Sequence, residues 1–312
     1  MDGIWANGGD FSYLWGKYAT DPSTIYIKID DDLVYIHDDA IPYMLSSLLA
    51  HPEAYSIQAN IINSRFTHWY HHSTDAIRPF LPDTKPPTSD TTTNWRPSTL
   101  PNYPTDSLPT FDTPGNTTRL LEYKYPPSNQ NHAWLPLPRN AQNMLYTPFG
   151  NGTDLPDPKT SNNHPLARWT IAAQEHYSFL ANLEDSLKDD PVALKRYAFG
   201  NPTDGLWNTW WQHYNVNFLA FWGSTLAKRP FWEKDDTEHY LSNDEYALSV
   251  DVPKELAMPV LVDTRALVAH YAFHSGQQRN DLLKTDLLDR YRLLANERVC
   301  EKENQKSRML GG

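Results

Sequence analysis

The hydrophobic pattern of the first quarter of the chain predicts a strand, a helix and a further strand. Residues 24–29 and 33–36 are rich in β-branched and aromatic side chains, which favours two strands. Residues 55–62 predict the next strand. Between them, after Asp38 or Asp39 as the helix cap, apolar residues recur at helical spacing: Ile41, Met44, Leu45, Leu48 and Leu49. This order of elements indicates a β-α-β unit and the α/β fold class.

The second half of the chain alternates helical and extended patterns. Apolar residues at helical spacing predict long helices at about residues 167–187 and 285–299, and a short helix begins at Asp190. Two apolar runs, 259–262 and 266–273, predict two strands. The aromatic run 207–222 leaves two interpretations open: a helical face packed in the core, or a platform of rings on which sugars stack.

Proline usage marks an irregular insertion. Seventeen of the 25 prolines lie between Pro79 and Pro165, where the sequence has neither a helical nor a strand period. Aromatic residues scattered through this stretch indicate a partly ordered segment rather than a plain linker. We therefore expect one domain in four parts: the β-α-β unit at 1–78, the insertion at 79–165, a helical and strand-containing part at 166–299, and a flexible tail at 300–312.

Composition and charge exclude several classes of protein. The 312 residues carry a formal net charge of −11, which argues against a nucleic-acid or anionic-membrane partner. The single cysteine, Cys300, excludes a disulfide framework and a cysteine-based zinc site. No apolar stretch is long enough to span a bilayer, and the first ten residues lack the pattern of a signal peptide. The sequence therefore assigns no localisation.

Three adjacent aspartates are the strongest chemical signal in the sequence. Asp30, Asp31 and Asp32 stand between two hydrophobic runs, where uncompensated carboxylates are costly. Hard divalent cations prefer oxygen ligands, and alternate residues such as Asp30 and Asp32 supply two of them from one strand end. An acidic surface turn is the alternative. The apolar character of the flanking runs favours the metal site.

The sequence around these aspartates resembles a known family of enzymes. An apolar strand, Lys-x-Asp-Asp-Asp and a second apolar and aromatic run is how the metal-binding DxD motif occurs in glycosyltransferases of the GT-A fold, of which the beta-1,3-galactosyltransferase-like enzymes are most similar. The string TIYIKIDDDLVYIHDDAIPYML also resembles a group of fungal proteins regarded as glycosyltransferases. The resemblance is specific over residues 24–63 and diffuse over 169–294.

The resemblance implies a metal-dependent transfer of a sugar from a nucleotide-sugar donor to a carbohydrate or other hydroxyl acceptor. It implies that Asp30, Asp31 and Asp32 hold Mn²⁺ or Mg²⁺ and the donor, and that the ion offsets the charge of the departing diphosphate. Many members of the family add a histidine ligand after a late strand. His270 fits that place, and His274, on the same face of the predicted strand, is the alternative.

The resemblance also implies a carboxylate base that takes the proton of the acceptor. Asp244, with Glu245 beside it, is the preferred residue at the expected place upstream of that histidine, and the acidic cluster 235–238 competes with it. GT-A domains carry a larger nucleotide-binding portion before the motif, whereas 29 residues precede Asp30 here. The expected fold is therefore an α/β, GT-A-like mixed sheet flanked by helices and N-terminally incomplete, with any Golgi or secretory anchor missing as well.

Two other functions fit the same residues. A non-catalytic carbohydrate-binding or scaffold protein would keep the fold and the aromatic surface. A divalent-metal hydrolase would use the same carboxylates on a phosphoester. Metal-dependent nucleotide binding separates the transferase from the first alternative, and release of free phosphate without sugar transfer indicates the second.

The remaining histidines have less distinctive surroundings. His68, His71 and His72 lie close together in the chain, but no second cluster matches them, so we expect a polar loop at the rim of the β-α-β unit. His176 lies on the apolar face of its predicted helix, where we expect a core histidine with satisfied ring nitrogens.

Overall fold

The computed structural model describes residues 12–78, 80–81, 92–100, 135–136, 169–188, 190–232, 244–272 and 277–305. The chain divides into two compact units, Met1–Phe66 with Tyr197–Val268, and Thr67–Arg196 with Ala269–Gly312. They are called the first and the second unit below, and each is described by itself. In the part of the chain that the structure describes, no helix is long and apolar enough to cross a membrane.

The described residues form eight strands: β1 Ile25–Ile29, β2 Leu33–Ile36, β3 Ser56–Ile62, β4 Phe80–Leu81, β5 Leu135–Pro136, β6 Leu206–Asn208, β7 Phe218–Trp222 and β8 Val260–His270. They also form nine α-helices: α1 Ser12–Tyr18, α2 Ala40–Ala50, α3 His68–Ser73, α4 Trp169–Lys188, α5 Gly223–Leu226, α6 Asp244–Tyr246, α7 Val252–Glu255, α8 Gln277–Leu282 and α9 Leu287–Arg298. A π-helical turn, Ala247–Asp251, joins α6 to α7.

The first unit is built on a mixed sheet with strand order β1-β7-β3-β8-β2, and β6 also pairs with β8. β7 runs antiparallel to both of its neighbours, with Ile29 of β1 opposite Phe218 and Ile57 of β3 opposite Ala220. β1 and β3 therefore run parallel to each other. The α/β class predicted from the sequence is confirmed, and the three predicted N-terminal strands are present.

Helix α2 covers one face of this sheet. Ala40, Met44 and Leu48 are fully buried and belong to the same core cluster as Ile57 and Ala59 of β3. Burial of each large side chain contributes roughly 1.5–3 kcal/mol, so this stripe is what fixes the helix on the sheet. The helix begins and ends where the apolar spacing predicts. Its N-cap residue makes no side-chain capping hydrogen bond, so packing rather than capping stabilises it.

The other face of the sheet carries a second apolar cluster. Because side chains alternate along a strand, Leu219 and Phe221 of β7 point away from α2. They pack with Leu248 and Val252 from the segment that begins with α6. Trp15 of α1 joins them, with its ring centroid 5.1 Å from that of Phe221. The segment carrying the predicted base is therefore anchored on this face by buried apolar residues.

The second unit is organised around α4. Tyr177 and Phe179 of this helix are fully buried. The Tyr177 hydroxyl donates to Asp286, whose other oxygen receives Arg290 Nε at 2.8 Å. Trp95, also fully buried, donates its indole N–H to Glu297 at 3.0 Å. Long-range polar contacts between α4, α9 and the 92–100 segment thus complement the apolar packing of this unit.

Two predictions about elements are wrong, and the helical interpretation of the aromatic run is excluded. The runs 259–262 and 266–273 form one strand, β8, because the polar residues between them have partners within the first unit. Asp263 receives Arg265 Nε at 2.9 Å and the Ser47 hydroxyl at 2.7 Å. The aromatic run 207–222 forms β6, a turn and β7 rather than a helix. The short helix expected at Asp190 is a single 3-10 turn, Leu194–Tyr197.

The proline-rich insertion lies mostly outside the described residues. Within it the structure describes two pieces of the second unit, the β4–β5 pair and residues 92–100. The latter contains a 3-10 turn, Pro97–Thr99. Of the predicted tail, residues 300–305 are described and include a 3-10 turn, Lys302–Asn304.

Candidate functional site

The three aspartates lie at the carboxyl end of β1, where the strand leaves the sheet. The backbone N–H of Asp30 donates to Asn217 O at 2.9 Å, and Asn217 Nδ2 donates to Asp30 Oδ2 at 2.8 Å. Lys28 Nζ forms an ion pair with Asp30 Oδ1 and donates to Val216 O at 2.9 Å. Lys28, Asp30, Asp31, Asp32 and Asn217 are called the carboxyl-end cluster below. Asp30 thus has its charge offset by Lys28 and both of its carboxylate oxygens held by partners.

The other two aspartates differ from each other in exposure. Asp31 is exposed and Asp32 is half-buried. Within the described ranges, no group of three or more His, Cys, Asp or Glu side chains is arranged to hold a metal ion. Mg²⁺, however, usually takes one or two carboxylates, keeps several waters and completes its shell with substrate phosphates. The oxygen donors of Asp31 and Asp32 therefore fit such an ion.

A second polar cluster is formed by a histidine between an arginine and a glutamate. Arg65 Nη2 lies 2.8 Å from His213 Nδ1, and His213 Nε2 lies 3.1 Å from Glu245 Oε1. A guanidinium group only donates hydrogen bonds, so Nδ1 is the acceptor and carries no proton. The ring proton of the neutral imidazole is then on Nε2, which lies within ion-pair distance of Glu245 Oε1 but is not aligned for a hydrogen bond to it.

Aromatic rings hold the imidazole in place on both sides. Tyr246 stacks on His213 with a centroid distance of 4.4 Å and an interplanar angle of 25°. Phe66 meets it edge-on at 5.2 Å and 78°, and the Arg65 guanidinium lies 4.6 Å from the Phe66 ring centroid. Arg65, Phe66, His213, Glu245 and Tyr246 are called the histidine cluster below. The geometry fixes which groups the two ring nitrogens face.

Burial lowers the pKa of His213 from its ordinary value. Glu245 opposes this by favouring the imidazolium, while the Arg65 charge disfavours it. The net lowering keeps the ring neutral at pH 7, in agreement with the acceptor role of Nδ1. Glu245 itself has 39% of its side chain exposed, so its carboxylate is accessible to a ligand.

Both clusters lie at the same end of the sheet, where strands end or begin. The carboxyl ends of β1 and β3 and the amino end of β7 meet there, because β7 is antiparallel to both of its neighbours. Asp30 and Asn217 pair at the end of β1, and the Ser64 hydroxyl, just after β3, donates to Asn215 Oδ1 at 2.9 Å. Arg65 follows Ser64 directly. The sheet thus brings the acidic strand end and the histidine cluster to one edge of the first unit.

The other predicted site residues are placed as follows. Asp244 begins α6 and is half-buried, beside Glu245 in the chain. His270 ends β8, belongs to the second unit and is 5% exposed. The competing acidic cluster 235–238 and His274 lie outside the described residues. The expected ligand set of Asp30, Asp32 and His270 remains a prediction.

Sequence reasoning missed Arg65 and His213. Arg65 stands in a histidine-rich string, and His213 stands inside the aromatic run, with no motif around either of them. Their contact joins residues 148 positions apart in the chain. The only local signal was polar residues directly after a buried strand, which is where sheet edges place functional side chains.

The prediction for His68, His71 and His72 is wrong. They lie on helix α3 rather than in a polar loop, and His68 and His71 are fully buried. His68 Nδ1 contacts Glu175 of α4, whose side chain is also buried. Burial, with the neighbouring His68, lowers the pKa of His71 to about 3. His68 and His71 are therefore interior residues of the second unit, and His72 is half-buried.

The prediction for His176 is confirmed. Its Nδ1 lies 2.8 Å from the Tyr291 hydroxyl and its Nε2 lies 3.1 Å from Tyr271 O. Both ring nitrogens therefore have partners. Burial lowers the pKa of His176 to about 4, so the ring is neutral at pH 7.

The two interpretations of the aromatic run apply to different residues. Tyr214, Phe218 and Phe221 are fully or almost fully buried, and Trp207 packs against the core beneath α2. Trp210 is 70% exposed. Most of the run is therefore core, and the platform interpretation is left to Trp210.

Comparisons of the chain with family models, with curated proteins and with solved structures returned no match.

Proposed function

We propose that the chain is a metal-dependent glycosyltransferase, or part of one, that moves a sugar from a nucleotide-sugar donor to a hydroxyl acceptor. The observation that carries the proposal is that two different kinds of carboxylate lie at the same end of the sheet. One is the acidic end of β1, and the other is Glu245, which faces a neutral histidine. A transferase of this kind needs both, because it must neutralise a leaving diphosphate and deprotonate an acceptor.

The carboxyl-end cluster would bind the donor. Asp32 would hold Mn²⁺ or Mg²⁺, with Asp30 and Asp31 near the metal or the ribose, as the resemblance implies. When bound, the cation would supply the positive charge that offsets the departing diphosphate. Asp30, fixed at both oxygens, would accept hydroxyl groups of the ribose or sugar through its remaining lone pairs.

The histidine cluster would act on the acceptor. Glu245 would take the hydroxyl proton while the acceptor oxygen bonds to the anomeric carbon and the bond from that carbon to the diphosphate breaks. The His213 ring would hold the carboxylate in place through its 3.1 Å contact, and Arg65 would fix the ring tautomer. This assigns the base to Glu245, with Asp244, the preceding residue, as the alternative.

The position of β1 is consistent with the resemblance to GT-A enzymes. Among the described strands, β1 pairs with β7 alone and so forms one edge of the sheet. In GT-A enzymes, further nucleotide-binding strands precede the aspartates in the chain. An edge strand such as β1 leaves a place beside it where such strands would pair. The GT-A assignment itself is part of the proposal.

One observation favours a second candidate, a non-catalytic carbohydrate-binding relative. The ion pair between Lys28 and Asp30 neutralises a carboxylate that an active metal site would use. A protein that no longer bound a cation would tolerate such a pair at no cost to function. The two candidates differ in whether nucleotide binding depends on a metal.

Calorimetric titration of the intact chain with UDP, and in parallel with GDP, in the presence and absence of Mn²⁺ tests the proposal. We expect saturable binding that requires Mn²⁺ and is lost in Asp32→Ala. Asp39→Ala is the matched control, because Asp39 has an exposed side chain without a capping hydrogen bond. A folded protein that binds neither nucleotide, or an Asp32→Ala variant that binds like the wild type, would exclude the transferase.

A further inference from the structure

Two consecutive tryptophans occupy the turn between β6 and β7. Trp210 and Trp211 have φ angles of 52° and 57°, and Gln212 N donates to Thr209 O at 3.0 Å. Two central residues with positive φ, closed by such a hydrogen bond, are the pattern of a type I′ turn. Such turns favour Asn-Gly, because L-residues with large side chains are strained in the left-handed region. Local backbone stability alone therefore gives no reason for tryptophan at either position.

The turn is firmly attached to the first unit. The Trp211 indole N–H donates to Met258 O at 2.9 Å, and the Trp210 backbone N–H donates to Asn208 Oδ1 at 2.8 Å. Trp211 therefore acts as the anchor. Trp210, in contrast, is 70% exposed. A backbone that is strained and yet presents a large exposed ring indicates a binding role for that ring.

The surroundings of Trp210 favour a small ring as its ligand. All residues from 209 to 217 are described, and Trp210 is the one exposed large hydrophobic side chain among them. Gln212 is also exposed, and His213 of the histidine cluster follows it directly. A stable protein interface buries roughly 800 Å² of surface per partner around an apolar centre, and a single ring among polar neighbours does not supply such a centre.

A pyranose ring matches these features. One face of such a ring carries C–H bonds that meet the negative face of an indole, while its edge carries hydroxyl groups for amide and imidazole partners. We propose that Trp210 is the stacking platform of a saccharide subsite. This saccharide would be the acceptor, because His213 of the same loop contacts the proposed base. That part of the inference rests on the proposed function.

Titration of the intact chain with tetrasaccharides tests this inference. The probes are β-1,4-linked glucose, N-acetylglucosamine and mannose tetramers and the β-1,3-linked glucose tetramer. We expect at least one to bind saturably, with affinity at least about tenfold weaker in Trp210→Ala and Trp210→Asn. Trp210→Tyr should retain binding, because it keeps an aromatic face. Trp69→Ala is the matched control, since Trp69 is 43% exposed and lies on α3 in the second unit.

Three results would overturn the inference. The first is that no tetrasaccharide binds, and the second is that Trp210→Asn binds as well as the wild type. The third is concentration-dependent self-association that Trp210→Asn abolishes, which would make the ring a protein contact. The outcome is separable from that of the proposed function. Saccharide binding without nucleotide binding supports the role of Trp210 and excludes the transferase. Nucleotide binding without saccharide binding keeps the transferase and overturns the role of Trp210.

Discussion

Mild acid should destabilise the second unit through two buried histidines. His71 and His176 are fully buried, and their pKa values in the folded protein are lowered from 6.5 to about 3 and about 4, mainly by burial. The unfolded chain binds protons at both positions below pH 6.5, whereas the folded chain leaves both rings neutral down to about pH 4. The free energy of unfolding therefore falls as the pH decreases through this window.

The size of the effect follows from the pKa difference. One pH unit corresponds to about 1.4 kcal/mol per group, so at pH 5 each histidine lowers the free energy of unfolding by about 2 kcal/mol. Together they remove about 4 kcal/mol, a large part of a typical total of 5–15 kcal/mol. The value at pH 5 depends little on the folded-state pKa values, because both lie about one unit or more below that pH.

Urea unfolding at pH 7 and pH 5, followed by circular dichroism, measures this difference. His71→Gln should reduce the loss between the two pH values by about 2 kcal/mol, even if it lowers stability at pH 7. His51→Gln is the control, because the His51 side chain is 31% exposed and lies at the end of α2 in the first unit. Equal unfolding free energies of the wild type at both pH values, or an unchanged pH dependence in His71→Gln, would refute the reasoning.

Three further predictions follow from the first unit. Lys28→Met removes the positive charge of the carboxyl-end cluster, so Mn²⁺ measured by electron paramagnetic resonance should bind more tightly; unchanged affinity would place the metal away from the Lys28–Asp30 pair. Asp263→Ala removes a fully buried carboxylate from Arg265 and should lower the urea unfolding free energy by about 2–3 kcal/mol; a loss below about 0.5 kcal/mol would contradict the role given to this pair. Trp210→Asn should be about 1 kcal/mol more stable than Trp210→Ala, because asparagine tolerates positive φ better; equal stability would show that the turn is not strained.

The elements that the sequence predicts well are those with a local signal. β2 is a continuous apolar run, β1 is interrupted by Lys28 alone, and β3 alternates apolar with polar residues, while α2 carries apolar residues at helical spacing that include the buried Met44 and Leu48. Each of these patterns depends only on neighbours within a few residues. Local spacing was therefore enough to predict this β-α-β region and the α/β class.

The errors arise where distant partners decide the structure. Polar residues in the middle of β8 suggested a break, but Ser47 and Arg265 satisfy Asp263, so the strand continues. His71 looked like a surface residue because its neighbours in the chain are polar, although its own side chain lies on the buried side of α3. Apolar and polar patterns do not record which tertiary partner will satisfy a buried polar group.

The candidate site could be predicted only in part, for the same reason. The carboxyl-end cluster was visible in the sequence because three aspartates are adjacent. Glu245 was reached through the resemblance, but His213 and Arg65, which hold it, come from separate segments joined only by the fold. The strained turn at Trp210 was not predictable either, since tryptophan carries no signal for positive φ.

The acceptor-dependent release of nucleoside diphosphate tests the central claim most directly. The intact chain would be incubated with Mn²⁺, a panel of UDP- and GDP-sugars, and the tetrasaccharides as acceptors, beside Glu245→Gln. We expect release that an acceptor stimulates and that falls at least about a hundredfold in Glu245→Gln, with nucleotide binding unchanged by calorimetry. A wild-type chain that binds nucleotide but shows no acceptor-stimulated release, or a Glu245→Gln variant as fast as the wild type, would contradict a shared site of the carboxyl-end and histidine clusters.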